Sequence, residues 1–489
     1  MIHIPLAFSI TAVLIFIGIL ASRLSTVLQI PVLLMFLAIG MLAGEEGLGG
    51  LPFEDYAFAG DLGTLALAFI LFSGAYDTSW GSVRKVLFRG TLLSTLGVLL
   101  TAIGTGVFVA WLMEWPLGFG LLLGAIVSST DAAAVFAIFR SRDVGLKGDL
   151  RPMLELESGS NDPMAALLTI FMIQFLNEPN ASFTMFFPYL VTKIGVGTLI
   201  GWIVGVGTVR FINKIRLEYD GLYYVVGIGT VLLAFGLSEM TGGNGFMAVF
   251  VCGLYMGNSR FLYRNGLGRF HDGIAWLMQV VLFLALGLLV TPSQILLTWR
   301  EGTLIALALM FLVRPLCVAV CLLGSSFHWR EQVLLAWGGI RGAAPIVLAI
   351  FPCYLFQDPT CDAYAKTIFH MVFYIVLLSV LIQGKTLMPL ARFLHLDEAG
   401  NTKPRPPLEF EETGRSKSRM YEYEISPFSL VAGKALRDIG LPSGALIYLI
   451  RRGATFIVPT GGTIIQSGDE LLMMLEPKMA DAVEKIIHG

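Results

Sequence analysis

Long apolar runs joined by short polar connections make up most of the first 395 residues. A helix needs about 20 apolar residues to cross the hydrocarbon core of a bilayer, and on that basis the pattern predicts about thirteen membrane helices. The second and ninth are short, and the region 221–258 could be divided differently. The predicted segments are 4–22, 30–44, 59–77, 90–113, 117–139, 152–177, 185–209, 221–240, 243–258, 271–291, 301–323, 331–355 and 367–394.

The composition agrees with this pattern, because 56% of the 489 residues are hydrophobic and only 14% are charged. A soluble protein of ordinary composition has about 25% charged residues. The net charge is −2, and no basic face suggests a nucleic-acid partner. We therefore expect a polytopic α-helical membrane protein.

The basic residues predict the orientation of these helices. If the thirteen segments alternate in direction, sixteen lysines and arginines fall in the loops on one side, against Arg300, Lys366 and Lys193 on the other. Basic residues are enriched in cytoplasmic loops. We therefore expect a protein of the bacterial inner membrane whose N-terminus is outside and whose C-terminus is cytoplasmic.

The sequence changes character after Leu396. Residues 396–419 are polar and contain three prolines, which is typical of a linker. The rest of the chain resembles a small soluble α/β domain. We expect a transmembrane domain at 1–395, this linker, and a cytoplasmic domain at 420–489. The predicted elements of the last domain are strands at 421–425, 445–450, 456–459 and 470–475, a turn at 451–453 and a helix at 478–487.

Two carboxylates interrupt apolar helices near the predicted midplane. Asp131 ends the run Ser128-Ser129-Thr130-Asp131 in the fifth segment, and Asp162 lies in the sixth, which runs back across the membrane. Carboxylates at membrane depth are costly and usually functional. At about 1.5 Å per residue, both lie within a turn of the midplane, so we expect them to converge on one ion- or proton-binding site.

Neighbouring polar residues extend this predicted site. Ser158 and Asp162 are four residues apart and share a helix face, as do Glu157 and Asn161 on the adjoining row. Oxygen atoms of Asp162, Ser158 and Thr130 suit a hard monovalent cation. In the alternative interpretation Asp131 and Asp162 only cap breaks in their helices, and Pro163 makes such a break plausible at Asp162.

A second weak point lies in the twelfth segment. Three glycines and a proline occur between Gly338 and Pro345, which would weaken a helix there. It lies seven helices after the Ser128–Asp131 interruption in the fifth segment. An odd offset gives the two helices opposite directions, which fits an inverted repeat. Arg341 lies in the same stretch and needs an anionic partner, which we predict to be Glu157. For Arg314, Asp77 and Glu239 we expect an interfacial or packing role.

Together these motifs resemble NhaP-type monovalent cation/proton antiporters over about residues 1–395. The resemblance rests on Thr130-Asp131, on Glu157-Ser158 with Asn161-Asp162, and on Gly339-Ile340-Arg341-Gly342. It implies two unwound helices that cross beside the Asn-Asp helix. The aspartate at 162 would be the ion- and proton-binding carboxylate. Thr130, Asp131 and Ser158 would be ligands or polar support, Glu157 and Arg341 a buried ion pair, and the protein a homodimer.

One departure from the family concerns the third helix. Several members carry an acidic residue shortly after a Phe-x-Gly element, whereas Phe72-Ser73-Gly74 is followed here by Ala75 and Tyr76, with Asp77 only later. An ion ligand inferred at that place is therefore in doubt.

The C-terminal region resembles the RCK-C or TrkA-C domain, through Gly433-Lys434-Ala435-Leu436, Arg451-Arg452-Gly453 and Gln466-Ser467-Gly468-Asp469. This resemblance favours the cell-volume subgroup and K⁺/H⁺ exchange, with a possible small regulatory ligand at this domain.

We expect K⁺ and H⁺ to compete for Asp162 in an electroneutral exchange that needs no cofactor and no resident metal. Na⁺/H⁺ exchange by the same mechanism is the alternative. A ligand-gated K⁺ channel would also use an RCK-like domain, but the chain has no filter sequence of the Thr-Val-Gly-Tyr-Gly kind. An enzyme is disfavoured because no metal constellation or nucleophile elbow appears in the sequence.

Overall fold

The computed structural model describes residues 9, 12–20, 32–140, 144–178, 183–215, 217–399, 419–426, 429–442, 444–453 and 455–488. Its backbone contacts separate two compact units. The larger is helical and ends near residue 400, while the smaller comprises the C-terminal region with two short segments, 212–218 and 261–266. Most of the predicted linker, the start of the first predicted helix and the connection after it lie outside the described residues.

Helices account for nearly all of the larger unit. In chain order they are α1 (12–20), α2 (Val32–Ala43), α3 (Tyr56–Asp77), α4 (Trp80–Met113), α5 (Leu117–Ile126), α6 (Ala132–Arg140), α7 (Leu150–Asn177), α8 (Phe186–Ile215), α9 (Gly221–Met240), α10 (Gly245–Gly257), α11 (Arg264–Leu289), α12 (Pro292–Leu297), α13 (Trp299–Cys321), α14 (Trp329–Trp337), α15 (Ala343–Leu355) and α16 (Asp362–Phe393).

Each of the thirteen predicted segments contains a helix. Among the residues that the structure describes, seven helices are long and apolar enough to cross a membrane. The chain is thus a mostly helical membrane protein, and the number of helices that span the bilayer stays a prediction. Two predicted segments are split, the fifth into α5 and α6 and the twelfth into α14 and α15.

Close contacts between helices depend on glycine. A Cβ atom on Gly201 would lie 2.2 Å from the carbonyl oxygen of Ala248 on α10, and one on Gly197 would lie 2.7 Å from that of Asn244. These two glycines therefore allow α8 to approach α10 closely. Gly195 and Gly207 differ, because a Cβ there would meet nothing within 4 Å.

A short antiparallel pair of strands joins two connections of the larger unit. Strand β1 (Val144–Leu146) follows α6, and β2 (Asp397–Ala399) follows α16. Val144 pairs with Ala399 and Leu146 with Asp397. This pair places the end of the membrane domain beside the connection between α6 and α7, which the sequence pattern does not predict.

The smaller unit contains an antiparallel sheet of four strands and one helix. Its strands are β3 (Arg419–Glu424), β4 (Leu446–Arg452), β5 (Thr455–Ile457) and β6 (Asp469–Leu475), in the order β3-β6-β4-β5. Helix α17 (Ala480–His488) contributes Val483 and Ile487 to a core with Ile450 and Leu471 of the sheet. The predicted turn at 451–453 is wrong in part, because Arg451 and Arg452 belong to β4 and only Gly453, with a φ of 58°, turns.

Candidate functional site

Two helix breaks meet inside the larger unit. Residues 127–131 separate α5 from α6, and residues 338–342 separate α14 from α15. The backbone N–H of Asp131 donates a hydrogen bond of 2.7 Å to the carbonyl oxygen of Ile340. The two interrupted helices are therefore joined directly, by backbone groups that a continuous helix would have used internally.

Local chemistry explains why both helices stop here. Serine and threonine hydroxyls compete for the backbone, and the Ser128 hydroxyl bonds the carbonyl of Ala125 at 2.6 Å. At the second break Gly342 lies against Asp131, and a Cβ atom on this glycine would be 2.0 Å from the Asp131 Oδ2 atom. Glycine at 342 therefore leaves the space that the Asp131 carboxylate occupies.

Helix α7 supplies the side chains that bind the first break. The Ser158 hydroxyl donates to the Thr130 carbonyl at 2.9 Å and accepts from the Ala132 N–H at 2.9 Å. The Asn161 amide donates to the Thr130 hydroxyl at 2.5 Å. Ser158 thus satisfies one carbonyl and one N–H group of the break.

Of the two aspartates, Asp131 caps a helix and Asp162 does not. Helix α7 runs without interruption through Pro163, so the interpretation that Asp162 caps a helix break is wrong. Asp131 does cap α6, because its Oδ1 atom accepts from the Ala134 N–H at 3.3 Å. Asp162 is therefore the carboxylate that no helix end requires.

A small cavity of about 40 Å³ lies beside these two carboxylates. Ser129, Asp131, Asp162 and Gly342 line it, together with Gln279 of α11. The Ser129 hydroxyl donates a short hydrogen bond to Asp162. One water needs about 10–15 Å³ of such space, so the cavity can hold a water molecule or a dehydrated monovalent cation in contact with the Asp162 carboxylate.

The buried ion pair differs from the prediction. Glu157 forms its ion pair with Arg314, not with Arg341, and the exposed fractions of the two side chains are 1% and 2%. Arg314 directly follows a π-helical turn of α13 at Leu309–Val313 and is almost fully buried within the unit, which fits the packing role that was one of the two expected for it. The prediction failed because the sequence contains two arginines at similar depth and cannot show which one faces α7.

Arg341 is instead bonded within its own break. Its backbone N–H donates to the Ser379 hydroxyl at 3.1 Å, and its guanidinium donates to the Gly339 carbonyl at 3.1 Å. The side chain is buried, with 1% of its surface exposed. Arg341 is therefore a second buried cation, adjacent in sequence to Gly342 of the second break, without a carboxylate in salt-bridge contact among the described residues.

The third helix contributes apolar groups to the cavity. Leu67 and Ile70 of α3 line it, whereas Asp77 is the last residue of that helix. Ser73, in the Phe-x-Gly element, donates to Asp272 of α11 at 2.8 Å. Gln279 and Asp272 are not among the residues predicted from the sequence, although a polar residue within an otherwise apolar helix is a signal that could have found Gln279.

Comparison with known proteins shows the family to which the chain belongs. The family described as sodium/hydrogen exchanger, transmembrane, matches residues 11–393, and the TrkA-C domain matches residues 420–488. The chain belongs to the sodium/hydrogen exchanger family. It is a monovalent cation/proton antiporter, a transporter and not an enzyme, with a C-terminal TrkA-C domain, as the NhaP-type resemblance predicts.

Individual relatives extend over nearly the whole chain. The K(+)/H(+) antiporter NhaP2 of Shewanella sp. (strain ANA-3) is 36% identical over 487 residues, which cover 98% of this chain and 83% of the relative. The K(+)/H(+) antiporter NhaP of Alkalimonas amylolytica is 36% identical over 480 residues, with coverage of 98% and 82%. Among solved structures, the sodium proton antiporter MjNhaP1 from Methanocaldococcus jannaschii at pH 8 matches with a TM-score of 0.70 and 26% identity, covering 79% of this chain and 98% of that chain.

Proposed function

We propose that this antiporter exchanges K⁺ for H⁺ one for one, with both ions competing for the Asp162 carboxylate. The observation that carries the proposal is that Asp162 lines the small cavity at the meeting point of the two helix breaks. Helix ends at membrane depth leave carbonyl and N–H groups that can interact with ions, and transporters place binding sites there.

The charges around the cavity support an electroneutral exchange. Three carboxylates, Asp131, Glu157 and Asp162, lie near two arginines, Arg314 and Arg341. With all five ionised the net charge is −1, and one proton or one monovalent cation cancels it. An uncompensated buried charge is costly, so only the protonated and the cation-bound forms would cross the barrier between the two sides of the membrane.

The residues of the site have different proposed roles. Asp162 exchanges the ions, and the Thr130 and Ser158 oxygens and the Asp131 carboxylate complete or support the coordination. Asn161 holds the Thr130 hydroxyl through the 2.5 Å hydrogen bond and adds no charge. Glu157 acts through its ion pair with Arg314, which fixes α7 against α13.

K⁺ as the cation is inferred from the relatives. Both K⁺/H⁺ antiporters described above match 98% of the chain and carry that activity in their names, while the sodium antiporter of known structure is less similar, at 26% identity. The TrkA-C domain points the same way, and we infer that residues 420–489 regulate transport from the cytoplasm through a small ligand. We also infer a homodimer with an outside N-terminus, thirteen spans and inverted repeats that place the two breaks against each other.

The test is ion-driven proton movement in everted vesicles that contain the Asp162→Asn variant. The variant is expected to lose exchange, because an amide can neither bind a proton reversibly nor neutralise a cation. Glu155→Gln is the matched control, since Glu155 lies on the same helix and pairs with Arg151 on its surface, at 2.9 Å. Full exchange by Asp162→Asn would refute the mechanism. Parallel flux measurements with K⁺, Na⁺, Rb⁺ and Li⁺ decide the cation, and faster Na⁺ than K⁺ exchange would refute the choice of K⁺.

A further inference from the structure

Two buried polar residues of α16, Ser379 and Gln383, bind both sides of the second helix break. They are four residues apart on one face of the helix, and 2% and 1% of their surfaces are exposed. The Gln383 Nε2 atom donates a hydrogen bond of 3.0 Å to the carbonyl oxygen of Trp337, the last residue of α14. The Ser379 hydroxyl accepts from the Arg341 N–H at 3.1 Å. The pair therefore joins the end of α14 to the far side of the break.

A hydrogen bond between the two side chains connects these contacts into one chain. The Ser379 hydroxyl donates to the Gln383 Oε1 atom at 2.5 Å, so its oxygen is left to accept from the Arg341 N–H. The Gln383 amide has one possible orientation, because the Trp337 carbonyl can only accept and must face the amide nitrogen. Loss of either side chain would leave a buried backbone group of the break without this partner.

The contact with Arg341 fixes a peptide unit that reaches the ion site. The Ile340 carbonyl and the Arg341 N–H belong to one peptide unit, which is planar and trans, so the two groups point in opposite directions. The carbonyl accepts the 2.7 Å hydrogen bond from the Asp131 N–H, while the N–H donates to Ser379. Rotation of this unit would break both bonds together. Ser379 therefore fixes the direction of the carbonyl that holds Asp131 beside the small cavity.

Helix α7 binds the first break in a corresponding way. There the Ser158 hydroxyl accepts from the Ala132 N–H at 2.9 Å, as the Ser379 hydroxyl accepts from the Arg341 N–H at the second break. Backbone groups at membrane depth need such partners, because no water is present in the hydrocarbon to bind them. Ser379 and Gln383 are uncharged, so an effect of either residue on exchange has to come from the position of other groups.

We propose that Ser379 and Gln383 are positioning residues of the ion site, which orient the Ile340 carbonyl so that Asp131 stays in place for cation binding. A hard cation needs several oxygen ligands at fixed distances, whereas a proton needs one carboxylate oxygen. Displacement of Asp131 should therefore weaken cation binding more than proton binding. The inference rests on the proposed function, because it assumes that both ions compete for Asp162.

The test is K⁺-driven proton movement in everted vesicles, measured over a range of K⁺ concentrations and pH. Ser379→Ala is expected to raise the KM for K⁺ about tenfold, a factor that corresponds to about 1.4 kcal/mol and is of the order expected when a buried N–H loses its partner. Weaker K⁺ binding lets protons compete at lower concentration. At saturating K⁺ a tenfold loss of affinity should therefore move the acidic side of the pH profile upward by about one unit.

A purely structural role would not change these two quantities. If Ser379 only stabilised the fold, Ser379→Ala would lower the maximal rate in proportion to the amount of folded protein. The KM and the pH profile would stay as in the wild type, because neither depends on how much active protein is present. Ser379→Thr keeps the hydroxyl and should bring both quantities back to their wild-type values.

Thr386→Val is the matched control. Thr386 lies on the same helix, and its hydroxyl accepts from the indole N–H of Trp337 at 2.9 Å. The substitution removes a hydrogen bond between α14 and α16 but leaves the backbone contacts of the Ser379–Gln383 pair intact. The control should keep the wild-type KM and pH profile. Equal shifts in Thr386→Val and Ser379→Ala would overturn the proposal, since packing of α14 on α16 would then explain both.

Gln383→Met removes the amide and keeps the length of the side chain. It should raise the KM for K⁺ at least about threefold, because Ser379 loses its acceptor and the Trp337 carbonyl its donor. Residues that act as one chain have non-additive effects. The double variant Ser379→Ala/Gln383→Met should therefore have a KM within about twofold of Ser379→Ala alone, whereas independent effects would multiply to about thirtyfold. If Ser379→Ala does not fold, Gln383→Met tests the same prediction.

The proposal is overturned if Ser379→Ala and Gln383→Met both keep the wild-type KM and pH profile. It is also overturned if the effects of the two substitutions multiply, because the side chains would then not act as one chain. Failure of the proposed function gives a different result, since Asp162→Asn would then keep its exchange. Loss of exchange in Asp162→Asn together with an unchanged KM in Ser379→Ala would refute only the positioning role.

Discussion

The pair formed by Glu157 and Arg314 gives a sharp test of the buried charges. Both side chains are almost fully buried, at 1% and 2% exposed. Glu157→Gln keeps the shape of the side chain but leaves the arginine without its counter-charge. Removing one partner of a buried pair costs about 3–5 kcal/mol of unfolding free energy, so this variant and Arg314→Met should each be destabilised by that amount.

The double variant Glu157→Gln/Arg314→Met removes both charges together. Replacing a buried ion pair as a whole is often neutral or stabilising, so its unfolding free energy should return to within about 1 kcal/mol of the wild type. Because the two single costs add to about 6–10 kcal/mol, the coupling energy of the cycle is then at least about 5 kcal/mol. A control cycle with Glu157→Gln and Arg341→Met should show less than about 1 kcal/mol, since Arg341 bonds the Gly339 carbonyl and Glu157 bonds Arg314.

Equilibrium unfolding of the purified protein in mixed micelles, followed by tryptophan fluorescence, measures both cycles. The comparison between cycles is more reliable than either absolute value, because all variants share one unfolded state. If Glu157 couples more strongly to Arg341 than to Arg314, the partner predicted from the sequence is right and the structural assignment is refuted. If neither cycle shows coupling, Glu157 does not act as a buried charge.

Three further predictions concern other parts of the chain. Gly342→Ala should lower exchange by about a hundredfold, because the added Cβ would lie 2.0 Å from the Asp131 carboxylate and a misplacement of about 1 Å costs a rate factor of that order. Gly338→Ala is the control and should retain most activity in the same flux assay, since its Cβ would come no closer than 3.1 Å to another atom. Deletion of residues 400–489 should change the rate or the pH profile of exchange, and an unchanged profile would argue against a regulatory tail. Asp469→Asn should lower the unfolding free energy of the C-terminal domain by about 1–3 kcal/mol, since Asp469 accepts two 2.8 Å hydrogen bonds from Arg452. Limited proteolysis of that domain in the full chain should then be faster than in the wild type.

The helices of the larger unit could be predicted because each needs only an apolar run of sufficient length. The breaks could be predicted for the same physical reason, since Ser128-Ser129-Thr130 and the glycines at 338, 339 and 342 weaken helices locally. The matching depth of Asp131 and Asp162 followed from counting residues along two antiparallel helices. All of these inferences use information that is local in the sequence.

Contacts between distant segments could not be predicted in this way. Neither the partner of Glu157 nor the pairing of β1 with β2 follows from periodicity, because each depends on how segments about 150 or more residues apart pack together. The large cavity lined by Glu45, Glu46, Glu54 and His370 is a similar case, because these residues come from separate loops and helix ends, none of which carries a recognisable motif alone.

The arrangement of polar groups around α7 explains how one carboxylate can exchange ions while its neighbours stay fixed. Ser158 and Asn161 are engaged with the backbone and hydroxyl of Thr130, and Glu157 is engaged with Arg314. Asp131 caps α6 and lies against Gly342. Among the residues that the structure describes, Asp162 bonds only the Ser129 hydroxyl, from a residue that itself lines the cavity. Since the other groups must keep their partners to hold two broken helices together, the free energy of ion binding can act on Asp162 without dismantling the frame. That separation of roles is what a site needs if it is to bind a proton and a cation in turn.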